Sequence, residues 1–385
     1  MYNHIQQLNW RHFALVCVNL PVTWRYADFW GSAAYLIVML CVSVGNRRIS
    51  KPTSTRLAHA ALFASLIIQI CLLVWVAPHY DARMDRDDAI VLWWGSLANG
   101  QNPYATPTTL GNPISILPFA EMIGLPFVLI KNVGLLPIAA YLLLIYLIAQ
   151  QHKNHVRLRN WLWWTLATAP VLLFEVAGRS DLVANMALFI LIVHFNLPFQ
   201  RSDKWQTQCL FGIALGCLAA TRVALWPIVA LIGLHALFQI NWRARNIIVS
   251  AAFATFLLLL LPFVLWDSTT FFSYAPFGVN SKKLGQHAVL QWMWPLITLI
   301  LTAVGVQYSL RSKPIWSAAL PIIAVIVVAT WTSFFFDVSY VQLLFVPLLF
   351  SFKDAEQPKL QAAKSHGVEL EPFHFTTRPL YNDEG

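Results

Sequence analysis

The strongest constraint on this chain is a repeated pattern of long apolar runs joined by short connectors whose charge alternates along the sequence. Apolar spans fall near 30–45, 57–77, 133–150, 161–177, 182–198, 206–221, 223–239, 247–265, 289–308, 315–335 and 338–352. A bilayer core of about 30 Å takes about 20 helical residues. The connectors 46–56, 151–160, 200–205, 241–246 and 309–314 together hold 13 Lys and Arg and one acid, Asp203. The alternate connectors, 78–113, 178–181, 221–222, 266–288 and 336–337, hold six Lys and Arg and seven Asp. Connectors rich in Lys and Arg stay on the cytoplasmic side. The sequence therefore predicts an all-α polytopic membrane protein with about 11 transmembrane helices, the acidic connectors lying on the outer face. Only 11% of residues are charged and 58% are hydrophobic, too few polar groups to cover a water-soluble domain. The net charge of +9 is read by position, as membrane topology, and nucleic acid is not expected as a partner.

The alternation fails once. Two apolar runs, 114–130 and 133–150, separate the outer loop from the inner "HKNHVRLRN", and two full spans would return the chain to the wrong side. The first run contains Pro113, Pro118, Glu121 and Pro126, so a re-entrant or surface-lying segment is expected there. Residues 1–352 are taken as one membrane domain and 353–385 as a polar cytoplasmic tail. The run 13–22 carries no small-residue cleavage site of the kind that ends a secretory leader. Cys17, Cys41, Cys71, Cys209 and Cys217 all lie in apolar stretches and read as small buried hydrophobes rather than disulfides or metal ligands.

Polar clusters concentrate on the predicted outer face. "DARMDRDD" puts Asp85, Asp87 and Asp88 ahead of "AIVLWWGSLANG", which places Ile90, Trp93, Trp94 and Leu97 on one face, as in a helix lying in the headgroup layer. Asp87 or Asp88 is expected to cap that helix, and a carboxylate held there suits a general base. The competing reading is solvated loop charges or calcium-type ligands. In "FEVAGRSDL", Glu175, Arg179 and Asp181 form either an interfacial Arg179–Asp181 salt bridge or a site for a phosphate and a sugar hydroxyl. Arg222 sits on a hairpin tip between Ala220 and Val223 with no acid near it in sequence, so an anion, naturally a lipid phosphate, is expected as its partner. Otherwise it is a headgroup anchor. Lys282, Lys283 and His287 make a basic patch in the second long outer loop, either an anion site or solvated side chains. Asp337 and Tyr340 are open between anchors and cavity wall.

In order, "DRDDAIVLWWGSLANGQNPY", "GNPISILP", "GRSD" and "GIALGCLAATR" resemble the GT-C superfamily of integral-membrane glycosyltransferases, most closely its polyprenyl-phosphate-mannose-type branch, over residues 57–350. The resemblance implies a GT-C-like bundle and an inverting transfer of mannose or another hexose or pentose. The donor would be a polyprenyl-phosphate sugar and the acceptor a hydroxyl of a lipid-linked or cell-envelope glycan. The site would face the periplasm or exterior of a plasma or inner membrane. It implies Asp88, or else Asp87 or Asp85, as base, and Arg222, Arg179, Asp181, Lys282, Lys283, His287 and Tyr104 as donor-binding residues. No cofactor is implied. A divalent metal on the aspartates is the less favoured option. The chain departs from the pattern where an aromatic usually follows the acid by four residues: Leu92 follows Asp88, and Val91 follows Asp87. It also carries Arg222 where a Lys is common, and the span at 30–45 is additional. The alternatives are a polytopic transporter and a non-catalytic subunit that binds polyprenyl lipids.

Overall fold

Proline and glycine placement decides which apolar runs become single helices and which break. The computed structural model describes residues 2–48, 50–76, 85–196, 204–274, 288–311, 315–333 and 340–351. The Lys282/Lys283/His287 patch, Asp337 and the tail 353–385 lie outside the described residues. Among them the fold is all-α, with only an isolated bridge between Pro107 and Pro113 in the first long loop. Helix α1 (Tyr2–Arg48) is two helices joined across a kink at Asp28, where φ is 53°. Helix α2 (Lys51–Cys71) runs on as a π-helical turn, Leu72–Val76. Then follow α3 (Arg86–Ala98), α4 (Pro118–Leu129), α5 (Leu135–Gln151), α6 (Val156–Ala167), α7 (Pro170–Ala177) and α8 (Leu182–Asn196). The remainder is α9 (Trp205–Ala219), α10 (Trp226–Leu237), α11 (Trp242–Trp266), α12 (Ser268–Tyr274), α13 (Ala288–Leu310), α14 (Ile315–Ser333) and α15 (Gln342–Phe350).

Three helical segments, Ala27–Gly45, Lys51–Trp75 and Trp242–Trp266, are long and apolar enough to cross a membrane. The pair α7 and α8 passes that test together but bends by 118°. Other apolar helices, among them α4, α5 and Val223–Leu237, are 10–17 residues long. The expected single span at 161–177 is thus corrected to two helices, α6 and α7. Pro170 has no N–H to donate and starts a helix of its own after Thr168 and Ala169. The run 114–130 contains only the 12 residues of α4, about 18 Å of helix, short of a bilayer core.

Two further expectations change. Ile90 and Trp93 are fully buried in the protein, Trp93 packing against Phe263 of α11 at 5.3 Å between ring centroids. Ile90 and Trp93 therefore pack inside the protein, while Trp94 and Leu97 of the same face are half-buried. The cysteines are half-buried (Cys17, Cys209, Cys217) or exposed (Cys41, Cys71), so none is a core residue.

Helices α9 and α11 pack closely against each other. A Cβ on Gly212 would fall on Ile248 and Ala251, and one on Gly216 on Ala252 and Thr255, so both positions need glycine for this approach. That register makes the two helices parallel with level N-terminal ends. Helix α9 stops at Ala219 while α11 continues to Trp266, and Trp226 stacks on Phe256 at 5.9 Å. The tip 220–222 therefore lies about 10–15 Å short of the C-terminal end of α11.

Candidate functional site

Main-chain hydrogen bonds bring the site's segments together. Leu117 N–H donates to Thr221 O (3.0 Å) and Phe119 N–H to Ala220 O (2.9 Å), which docks the first turn of α4 against the 220–222 tip. The turn between α7 and α8 is tight, and Arg179 takes φ 45° there, a strained conformation for a side-chain-bearing residue. The same turn directs Arg179 and Asp181 to different partners.

Arg179 Nη1 bonds Asp87 Oδ2 at 3.0 Å. Arg222 grips Asp181 through two bonds, Nε to Oδ2 at 3.1 Å and Nη2 to Oδ1 at 2.5 Å, and both side chains are buried. Asp181 Oδ2 also accepts from Asn185 (2.5 Å). Arg86 Nη1 donates to Ser180 Oγ at 2.6 Å, lies 4.0 Å from Glu175 Oε1, and stands over the Tyr340 ring at 5.5 Å. Glu175, fully buried, accepts from Val183 N–H (3.0 Å) and Gln342 Nε2 (2.6 Å). Glu121 is fully buried in the first turn of α4 beside Asp181 and Arg222, and neither carboxylate oxygen has a hydrogen-bond partner among the described residues. Three arginines and four carboxylates thus meet where α3, α4, the 178–181 turn, the 220–222 tip and the start of α15 converge.

The three candidate bases diverge. Asp85 is the N-cap residue of α3, but its side chain accepts from Thr108 Oγ1 (2.7 Å) and Asn112 Nδ2 (2.8 Å) instead of a helix N–H. Asp87 is buried and ion-paired. Burial raises its carboxyl above the usual aspartate range, and the Arg179 hydrogen bond and charge pull it back only in part. Asp88 is half-buried and bonds Thr109 Oγ1, and no cation bridges it among the described residues. Of the three candidate bases, Asp88 is therefore the one least committed to holding the fold.

Several expectations are corrected by this geometry. The anion opposite Arg222 is Asp181, 41 residues away in sequence and adjacent in space, so Arg222 needs no lipid phosphate to satisfy its fork. Arg179 and Asp181 do not pair with each other. Neither Asp87 nor Asp88 is the cap of α3, because the helix begins one residue after Asp85. Tyr104 is a core residue: its hydroxyl donates to Ile116 O (3.1 Å), its ring meets Phe263 and Phe271 edge to face, and it is buried, closed to a sugar in this structure. Arg86 and Gln342 were not singled out in sequence. The signal for Arg86 was its place between Asp85 and Asp87; Gln342, at the start of an apolar helix, offered none. No group of three or more His, Cys, Asp or Glu side chains is arranged to hold a metal among the described residues.

Comparison with known proteins identifies no relative: no family model, curated protein or solved structure matches the chain.

Proposed function

We propose that the chain is an inverting membrane glycosyltransferase that moves a sugar from a polyprenyl-phosphate donor to a hydroxyl of a lipid-linked or cell-envelope glycan. The observation that carries this reading is the charged cluster set about 10–15 Å below the end of α11, beside the less committed carboxylate of Asp88. Ionisable groups at membrane depth are costly and mark function, and a recessed site suits reactants that arrive in lipid. It also agrees with the ordered motifs of a GT-C-like bundle.

In this mechanism Asp88 takes the proton of the acceptor hydroxyl as its oxygen attacks the anomeric carbon. The bond from that carbon to the phosphate oxygen breaks, and polyprenyl phosphate leaves with the electron pair. Arg179 and the Lys282, Lys283 and His287 patch counter the developing negative charge. Arg222, already held by Asp181, positions the tip, and Asp87 holds Arg179. Mannose or another hexose or pentose is the transferred sugar, and the site faces the exterior.

One observation favours a transporter instead. The 118° break between α7 and α8, beside the unpartnered Glu121, is a broken-helix arrangement of the kind that binds solutes within a membrane. The test uses purified protein in detergent with a short-chain polyprenyl-phosphate hexose and a glycan acceptor, read by mass spectrometry. The proposal expects free polyprenyl phosphate and extended acceptor in equal amounts. No product in detergent, together with solute movement in proteoliposomes, selects the transporter.

A further inference from the structure

From Ala219 and Trp226 beside the 220–222 tip down to Leu237, α9, α10 and α11 line an open apolar groove of ≈ 400 Å³, within the range of small-molecule sites. Its walls include Leu215, Trp226, Val229, Gly233, Val249 and Phe253. Helix α10 lines it at 226, 229, 233 and 237, one continuous stripe about 17 Å long. The facing stripe of α11, 249, 252, 253 and 256, continues one turn back to Arg245. Arg245 Nε donates to the carbonyl of Leu237, the last residue of α10 and itself a groove wall, at 2.7 Å. The guanidinium therefore stands at this mouth. No carboxylate occurs in 238–246, and none pairs with Arg245 among the described residues. Exposed Trp205 and Trp242, at the starts of α9 and α11, place this mouth at the level where indoles meet lipid headgroups.

We propose that this groove is a binding site for an anionic phospholipid, one acyl chain lying along the α10 stripe and the phosphate held by Arg245. The apolar walls select a hydrocarbon chain, and the cationic mouth selects the anionic head. The glycine-locked contact of α9 with α11 fixes two walls, so the groove is formed before the lipid arrives. The site is independent of the proposed transferase chemistry: its wall residues are not members of the charged cluster, and its Arg245 mouth is at the other end of the α10 stripe from the 220–222 tip.

The experiment is native mass spectrometry of the delipidated full chain titrated with phosphatidylglycerol, phosphatidylcholine of the same acyl chains, or a polyprenyl phosphate. The expected result is preferential retention of phosphatidylglycerol. Arg245→Gln should lower that retention about fivefold, the effect expected of one basic residue near an anionic lipid. Gly233→Leu should lower it by plugging the groove, since a Cβ at Gly233 meets only Leu215 Cδ1 at 3.8 Å and the backbone need not move. Arg245→Lys should keep most of the preference, and it replaces Arg245→Gln if that variant does not fold. Equal retention of the two phospholipids would overturn the proposal. So would phosphatidylglycerol retention unchanged by Gly233→Leu, or tighter binding of polyprenyl phosphate that Gly233→Leu abolishes.

Discussion

The charged cluster and the α9–α11 core hold helices together by opposite means. Around Arg222, buried groups of opposite charge cancel in pairs: Arg222 with Asp181, Arg179 with Asp87, and Arg86 near Glu175. Between α9 and α11 the helices approach because Gly212 and Gly216 leave room for backbone against backbone. In the first region the cost of error is an uncompensated buried charge; in the second it is a steric clash. The first also has a chemical use that the second lacks, because it leaves two carboxylates, Asp88 and Glu121, outside the ion pairs.

The largest expected effect follows from breaking one pair. Asp181→Ala leaves the Arg222 guanidinium buried and alone, a loss of about 3–5 kcal/mol. Thermal unfolding in detergent should show a collapse in stability, and Arg222→Ala should do the same. A double variant, Asp181→Leu with Arg222→Met, should recover much of the loss, as paired charges replaced by apolar side chains often do. Additive losses in the double variant would break the pairing argument.

Next in size is the apolar region. Gly216→Leu drives a side chain onto Ala252 and Thr255 and should cost about 1–3 kcal/mol or more by overpacking. Gly233→Leu, on the open side of the same bundle, should be close to neutral in the same thermal assay.

A subtler effect concerns pH. The Asp87 carboxyl is raised in the folded chain, so the native state binds its proton more tightly than the unfolded chain does. Stability therefore falls as pH rises from about 4, the ordinary aspartate value, through the higher folded value. Asp87→Asn should flatten that part of the profile of melting temperature against pH. A profile as steep as that of the wild type would sink the assignment.

The smallest effect is expected at Glu121. Glutamine keeps its shape and removes the only carboxylate of the cluster that has neither hydrogen bond nor ion pair among the described residues. Glu121→Gln should change stability by less than about 1 kcal/mol, whereas a residue held in a network would lose more.

Much of this molecule is legible in the sequence, and the unread part has a common cause. Apolar runs and sided charges locate helices and gather Asp87, Arg179, Asp181 and Arg222 to one end, because hydropathy and charge are local properties. Pairing is not local. Nothing within several residues of Arg222 announces Asp181, and the adjacency of Arg179 and Asp181 suggests the wrong pair. Trp93 and Tyr104 look like interfacial or sugar-stacking aromatics in sequence. They are core because α11 and α12 fold over them with Phe263 and Phe271. Breaks such as Pro170 were visible as letters, but whether a proline starts a helix or bends one depends on the neighbours that donate to the carbonyls it leaves free.

The most direct test of the proposed chemistry is the transfer rate of Asp88→Asn with a short-chain polyprenyl-phosphate hexose, beside wild type and Asp87→Asn at matched amounts of folded protein. Loss of the general base should lower the rate about a hundred- to ten-thousand-fold with the melting temperature unchanged. A near-wild-type rate for Asp88→Asn would contradict the assignment of Asp88 as the base.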